Sequence, residues 1–291
     1  MRPIKPIAMH EITGLGRPLD LTMTSNRVAV VGSSIAGALR VLFSWLGVGE
    51  LGLLSAASVA IGVFLAWALV REIDPDNGSA PYLAMVIAAI LGLISAPAAL
   101  VVAVLLLTTR VLTGTVGTSL RPFDLVVLVA LAGYAGTQPV AWPIVGLLAY
   151  AILRFRNVRA RITAAAVVAI AITTALLFVT ELEPAMPGLG TWAVLIVLTA
   201  VGWRSIRSGQ VESKADSGAP ISSVGVSVAR LSLLTAIGTG AVMAPESALS
   251  DLSPAVAAFA AMALWPRRVV APAETLDEPV PVAAPTIPIA F

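Results

Sequence analysis

No cysteine occurs anywhere in the 291 residues, which excludes disulfides, thiolate metal sites, iron–sulfur clusters and cysteine nucleophiles. Histidine is nearly as scarce. His10 stands alone in a polar N-terminal segment and reads as a solvated residue. Haem held by paired intramembrane histidines and His-rich metal centres are excluded with it, and no cofactor is expected. Charge is thin as well: Asp, Glu, Lys and Arg make up 12% of the chain, against about a quarter in an ordinary soluble domain. No apolar run carries an acid well inside it, which counts against proton- or sodium-coupled transport. The segment before Val28 lacks the apolar core of a secretory signal, so the first helix is expected to remain as an anchor.

What fills the chain instead is apolar. Hydrophobic residues make up 58%, and the mean hydropathy is +0.95. Runs such as "LGLLSAASVAIGVFLAWALV" (Leu51 to Val70) reach the ~20 apolar residues that cross a bilayer. The expected fold is therefore all-α, a polytopic transmembrane helical bundle.

The apolar runs are Val28–Gly49, Leu51–Val70, Ala80–Leu112, Phe123–Leu153, Ile162–Thr180, Gly190–Trp203, Val224–Met243 and Pro254–Trp265. Pro97 and Pro139 interrupt the third and fourth. If both runs turn back there, at "SAP" and "GTQP", the chain has ten spans in five hairpins; if each is one long helix, it has eight. The ten-span arrangement gathers Arg17, Arg27, Arg71, Arg110, Arg121 and the basic stretch Arg154–Arg161 on one side, and leaves the opposite turns free of Lys and Arg. By the positive-inside rule that side is the cytoplasm, with both termini there. The six tryptophans and three tyrosines fall near proposed span ends, where amphipathic rings prefer to sit.

The resulting organisation is a polar N-terminal segment (1–27), a membrane bundle (28–203), a cytoplasmic Ser/Gly-rich linker that is not packed (204–222), a final membrane hairpin (223–266) and a Pro-rich disordered tail (267–291).

Few residues offer chemistry. "REIDPDNGS" places Arg71, Asp74 and Asp76 in one loop, where Pro75, Asn77 and Gly78 favour a turn and Asp76, Asn77 or Ser79 offers an oxygen to cap the next helix. The same loop has a functional reading. Two carboxylates, with Arg110, Arg121 and Asp124 from "TTRVLTGTVGTSLRPFD", would suit a phosphorylated headgroup with Mg²⁺. Prenyltransferase-type enzymes carry two Asp-rich motifs, and only one short cluster exists here. Arg40, deep within an apolar run, is expected to face the interior against carbonyls or a carboxylate such as Glu50, or else to hold a ligand. Arg230 lies nearer a span end and is expected to snorkel. Small residues such as "GSSIAG" (Gly32–Gly37) are expected to serve close helix packing.

The "REIDPD" and "TTRVLTGTVG…RPFD" loops resemble those of bacterial multi-pass membrane proteins in which an R-E-aliphatic-D-P-D turn and a T-R-V-L-x-x-T-x-G loop recur. That resemblance covers roughly Trp67–Asp124 and implies the membrane class without an activity. Arginine is strongly preferred over lysine, which fits a GC-rich bacterial genome and a bacterial cytoplasmic (inner) membrane. Expected partners are the lipid bilayer, anionic lipid headgroups and protein partner subunits, with no nucleic acid. The expected function is non-enzymatic, a small-molecule or lipid transporter or a membrane-complex subunit. The alternative is an intramembrane enzyme acting on a phosphorylated lipid headgroup at the cytoplasmic face.

Overall fold

The computed structural model describes residues 13–17, 19–47, 52–115, 121–153, 158–178, 188–206, 211–216 and 218–265, with backbone alone for 158–159 and 201–206. The proposed tail, the basic loop at 154–157 and Glu50 lie outside the described residues.

Among the described residues the chain is all-helical apart from one isolated bridge between Lys214 and Pro220. The helices are α1 (Thr24–Trp45), α2 (Leu53–Ile73), α3 (Ala80–Ile94), α4 (Ala99–Thr113), α5 (Pro122–Gly136), α6 (Trp142–Leu153, preceded by a 3₁₀ turn at Pro139–Ala141), α7 (Val158–Phe178), α8 (Leu189–Ile206), α9 (Ser223–Met243), the single turn α10 (Ala248–Asp251) and α11 (Ser253–Leu264). Four of them, α1, α2, α7 and α9, are long and apolar enough to cross a membrane. Helices of this kind fit a membrane protein. On α1 and α7 large apolar side chains, among them Val31, Leu42, Ile162, Ile172 and Leu176, remain exposed, as a lipid-facing surface requires.

Both long apolar runs are broken where proline sits. The Ala80–Leu112 run turns at Ser95–Ala98, and α4 returns antiparallel to α3, bringing Arg110 back beside Glu72 at the end of α2. Likewise α5 stops at Gly136, whose carbonyl accepts from the Trp142 indole across the turn (2.9 Å). Pro81, Pro122 and Pro254 stand in the first turns of α3, α5 and α11, where a missing N–H costs nothing. At about 1.5 Å per residue, the 15 residues of α3, α4 and α5 give helices of roughly 22 Å.

These turns define two ends. The polar end gathers the start of α1, the end of α2, the start of α3, the end of α4 and the starts of α5 and α9. The opposite end holds the α3–α4 turn, where Ser58 donates to the Pro97 carbonyl, Ser95 bonds Ser250 (2.5 Å) and Ala98 N–H meets the Asp251 carbonyl (3.1 Å).

The final hairpin belongs to the interior of the bundle. Helix α9 packs on α4 and α8, and α11 packs on α2, α3 and α8. Small residues permit this. A Cβ on Gly225 of α9 would lie 2.7 Å from the Leu112 carbonyl of α4, and one on Gly62 of α2 would lie 2.6 Å from Pro97 and 3.2 Å from Pro254. The linker is also packed, against expectation. Lys214 and Pro220 form a short bridge around Gly218 (φ +81°), and Ala215 and Ile221 bury against Val226 of α9. A Ser/Gly-rich composition signals little apolar drive, but two apolar side chains and a left-handed glycine help to fold this loop back.

Candidate functional site

The loop that ends α2 is the centre of a buried polar network. Asp74 follows α2 directly, and Arg230 of α9 reaches it at 3.2 Å while donating to the Ile73 carbonyl at 2.6 Å. Both side chains are almost sealed, at 2% and 1% exposure. Arg230 therefore does not snorkel. Its position, two turns into α9, lies against the α2–α3 loop, and the loop supplies the counter-charge that water would otherwise have to supply.

Glu72, one residue before the end of α2, is the second hub, with 1% exposure. Arg110 of α4 donates to it at 3.0 Å, the Thr115 hydroxyl donates to its other oxygen, and Arg17 stands 3.9 Å away. Arg110 also donates to the Leu15 carbonyl (3.1 Å), which fastens the N-terminal segment to α4. Arg17 in turn grips Asp216 of the linker with two bonds of 2.8 Å, in the forked geometry that suits guanidinium and carboxylate. Asp216 N–H donates to the Thr115 carbonyl (3.0 Å), closing the circuit. Burial lowers the Arg17 pKa, but the Asp216 hydrogen bond and the charges of Glu72 and Asp216 outweigh it, so the net shift is upward.

The remaining candidates are also engaged. Asp76 accepts from the linker N–H groups of Ser213 (2.8 Å) and Glu212 (3.3 Å). Capping of α3 falls to Asn77, whose Oδ1 accepts from Ser79 and Ala80 N–H and whose amide donates to the Trp265 carbonyl at 2.8 Å. Asp124, in the first turn of α5, accepts from Arg121 N–H (2.7 Å), Gly14 N–H (2.8 Å) and the Thr13 hydroxyl. A carboxylate there also meets the positive end of the α5 dipole. Arg71 is the exception among the cations of the α2 and α4 ends. Its guanidinium lies over the Trp67 ring at 5.1 Å and has only a 3.4 Å bond to Ser25, and no described carboxylate pairs with it. Arg121 is exposed at the start of α5.

Arg40 lies apart, toward the opposite end. It is 4% exposed, donates to the Leu93 carbonyl at 2.7 Å and to Ser55 at 3.0 Å, and pairs with no described carboxylate. Leu93 lies in the last turn of α3, so its carbonyl lacks an intrahelical partner and Arg40 caps that helix end.

Arg71, Asp74, Asp76, Arg110, Arg121 and Asp124 thus share one end of the bundle. Glu72, Arg17, Thr13, Thr115, Asp216 and Arg230 complete the network there, and sequence reasoning did not single them out as a group. The one local signal was Glu72 itself, an acid fused to the end of a 20-residue apolar run. Among the described residues, no three His, Asp or Glu side chains form a group able to hold a metal ion. The chain matches no protein-family model, no curated protein and no solved structure.

Proposed function

We propose that this is a ten-span protein of the bacterial cytoplasmic membrane, with both termini in the cytoplasm. Its role is non-enzymatic: it carries a small molecule or lipid, or serves as a subunit of a membrane assembly. The return of α4 to the polar end and the turn between α5 and α6 support ten spans, α10 being too short to count. Both the N-terminal segment, through Thr13 and Asp124, and the end of α11, through Trp265 and Asn77, lie at the polar end. That end carries Arg17, Arg71, Arg110, Arg121 and Lys214, which favours a cytoplasmic orientation. Anionic lipid headgroups are natural contacts for Arg71 and Arg121 there.

One observation carries the non-enzymatic reading. Asp74, Asp76, Arg110 and Asp124, which a headgroup enzyme would turn toward substrate, bind other parts of the chain. They tie the N-terminal segment, the α2–α3 loop, the end of α4, the start of α5, the linker and α9 together in place of lining a site. The enzymatic alternative, on a phosphorylated lipid headgroup, would require these groups to be released. The test is to incubate the reconstituted full-length protein with radiolabelled polar lipids and Mg²⁺, and to identify the lipids and proteins that co-purify with it. Unchanged headgroups are expected. Headgroup turnover that disappears in Asp76→Asn at unchanged yield would overturn the proposal.

A further inference from the structure

Among the described residues, the guanidinium of Arg40 meets only neutral oxygens. Five N–H donors are available on an arginine, and the described contacts use Nε toward Ser55 and one terminal nitrogen toward Leu93. The end of α3 supplies partial compensation, about half an elementary charge of opposite sign. A surplus of positive charge remains, at 4% exposure and with no described carboxylate paired to it. A buried cation in a membrane setting is expensive unless an anion meets it.

Depth identifies the source of that anion. Arg40 lies five residues before the end of α1, Ser55 is in the first turn of α2, and Leu93 is in the last turn of α3. The guanidinium therefore sits near the level at which three helices leave the apolar layer, close to Trp45. At the same helix ends Leu42, Leu53, Leu54 and Ile94 are exposed, Leu54 at 88%. Apolar side chains beside a cation at this level match a phospholipid, with acyl chains against the leucines and phosphate toward the arginine. We infer that Arg40, with Ser55, forms a binding site for the phosphate group of a phospholipid in the leaflet opposite the polar end. The site is separate from the network around Glu72. It does not depend on whether the protein is a carrier or a subunit.

The experiment uses the full-length protein in an uncharged detergent, with three probes: phosphatidylglycerol, an uncharged diacyl glycolipid and inorganic phosphate. Bound lipid is counted by native mass spectrometry and stability by thermal unfolding. Wild type is expected to retain phosphatidylglycerol in preference to the glycolipid. Arg40→Gln should weaken that retention by about tenfold or more, as expected for a lost charge-assisted hydrogen bond. Arg40→Lys should fall between. If Arg40→Gln fails to fold, the wild-type comparison of the three probes decides. Equal retention of phosphatidylglycerol and glycolipid by wild type overturns the site, as does equal phosphatidylglycerol binding by wild type and a folded Arg40→Gln. Stabilisation by inorganic phosphate without lipid preference overturns the phospholipid assignment and leaves an anion site.

Discussion

Arg230 and Asp74 meet although 156 positions apart in sequence, and both are withdrawn from solvent. Removing one member of such a pair leaves the other as an uncompensated buried charge, at a cost of about 3–5 kcal/mol. Arg230→Met should therefore destabilise strongly in SDS titrations of the detergent-solubilised protein. The pair between Arg17 and Asp216 is the contrast. Asp216 is 47% exposed, and exposed pairs contribute about 0–1 kcal/mol, so Asp216→Asn should shift the same titration by less than about 1 kcal/mol. Comparable losses in the two variants would contradict this ranking. Asp251, in the turn between α9 and α11, supplies a pH test. Burial pushes its carboxyl pKa up, against a Ser247 hydrogen bond that lowers it. A folded pKa above the unfolded value of about 3.9 means that the stabilising contribution is complete below the unfolded pKa and is lost as pH rises through the folded one. Asp251→Asn removes that loss, so its melting temperature relative to wild type should be higher at pH 7 than at pH 4. A difference that does not vary with pH would remove the burial argument. At this scale the sequence was only partly legible. Arg40 against a carbonyl followed from the cost of burying its charge. Arg230 against Asp74 did not, because nothing local to "VARLS" points to a loop more than 150 residues earlier.

At the scale of elements, proline and glycine made the boundaries readable. Pro97 and Pro139 mark real turns, and Gly114 ends α4 in a left-handed conformation (φ +68°), which a glycine adopts without a Cβ penalty. Helix contacts were less readable, because small residues announce close approach without naming the partner. Gly225 is the clearest case. Its missing Cβ lets α9 rest on the backbone of α4 at Leu112 and Thr113. Gly225→Val should force these helices apart and cost about 1–3 kcal/mol by overpacking, whereas Gly146, which has open space around its Cβ position, should accept alanine with little change. Parallel unfolding measurements on the two variants decide this, and equal effects would mean that the α4–α9 approach is not tight. The packed linker was illegible for a related reason. Its folding depends on Asp76 and Asp216 binding backbone and side chains that are distant in sequence.

For the whole molecule the absence of native cysteine is an experimental advantage, since every introduced thiol reports alone. With ten spans, a cysteine at Ser95 or Thr137 should be labelled by an impermeant reagent from outside intact cells, and one at Ser119 should not. External labelling at Ser119 would reduce the span count to eight. The membrane class was legible from composition because a ~30 Å hydrocarbon layer demands long apolar runs. Composition does not state how those runs assemble, and the interior position of the last hairpin came only from the structure.

That position has a consequence for the order of events during synthesis. Asp74 emerges from the ribosome long before Arg230, and the Trp265 carbonyl that holds Asn77 comes later still, 188 residues downstream. Until α9 and α11 arrive, the first half of the bundle lacks the Arg230 guanidinium at Asp74 and the helices that pack on α2, α3 and α4. The nascent protein must therefore pass through an interval in which it is inserted but unfinished, when chaperones and membrane proteases can still tell it from the completed form. The α9–α11 hairpin is the element that ends this interval.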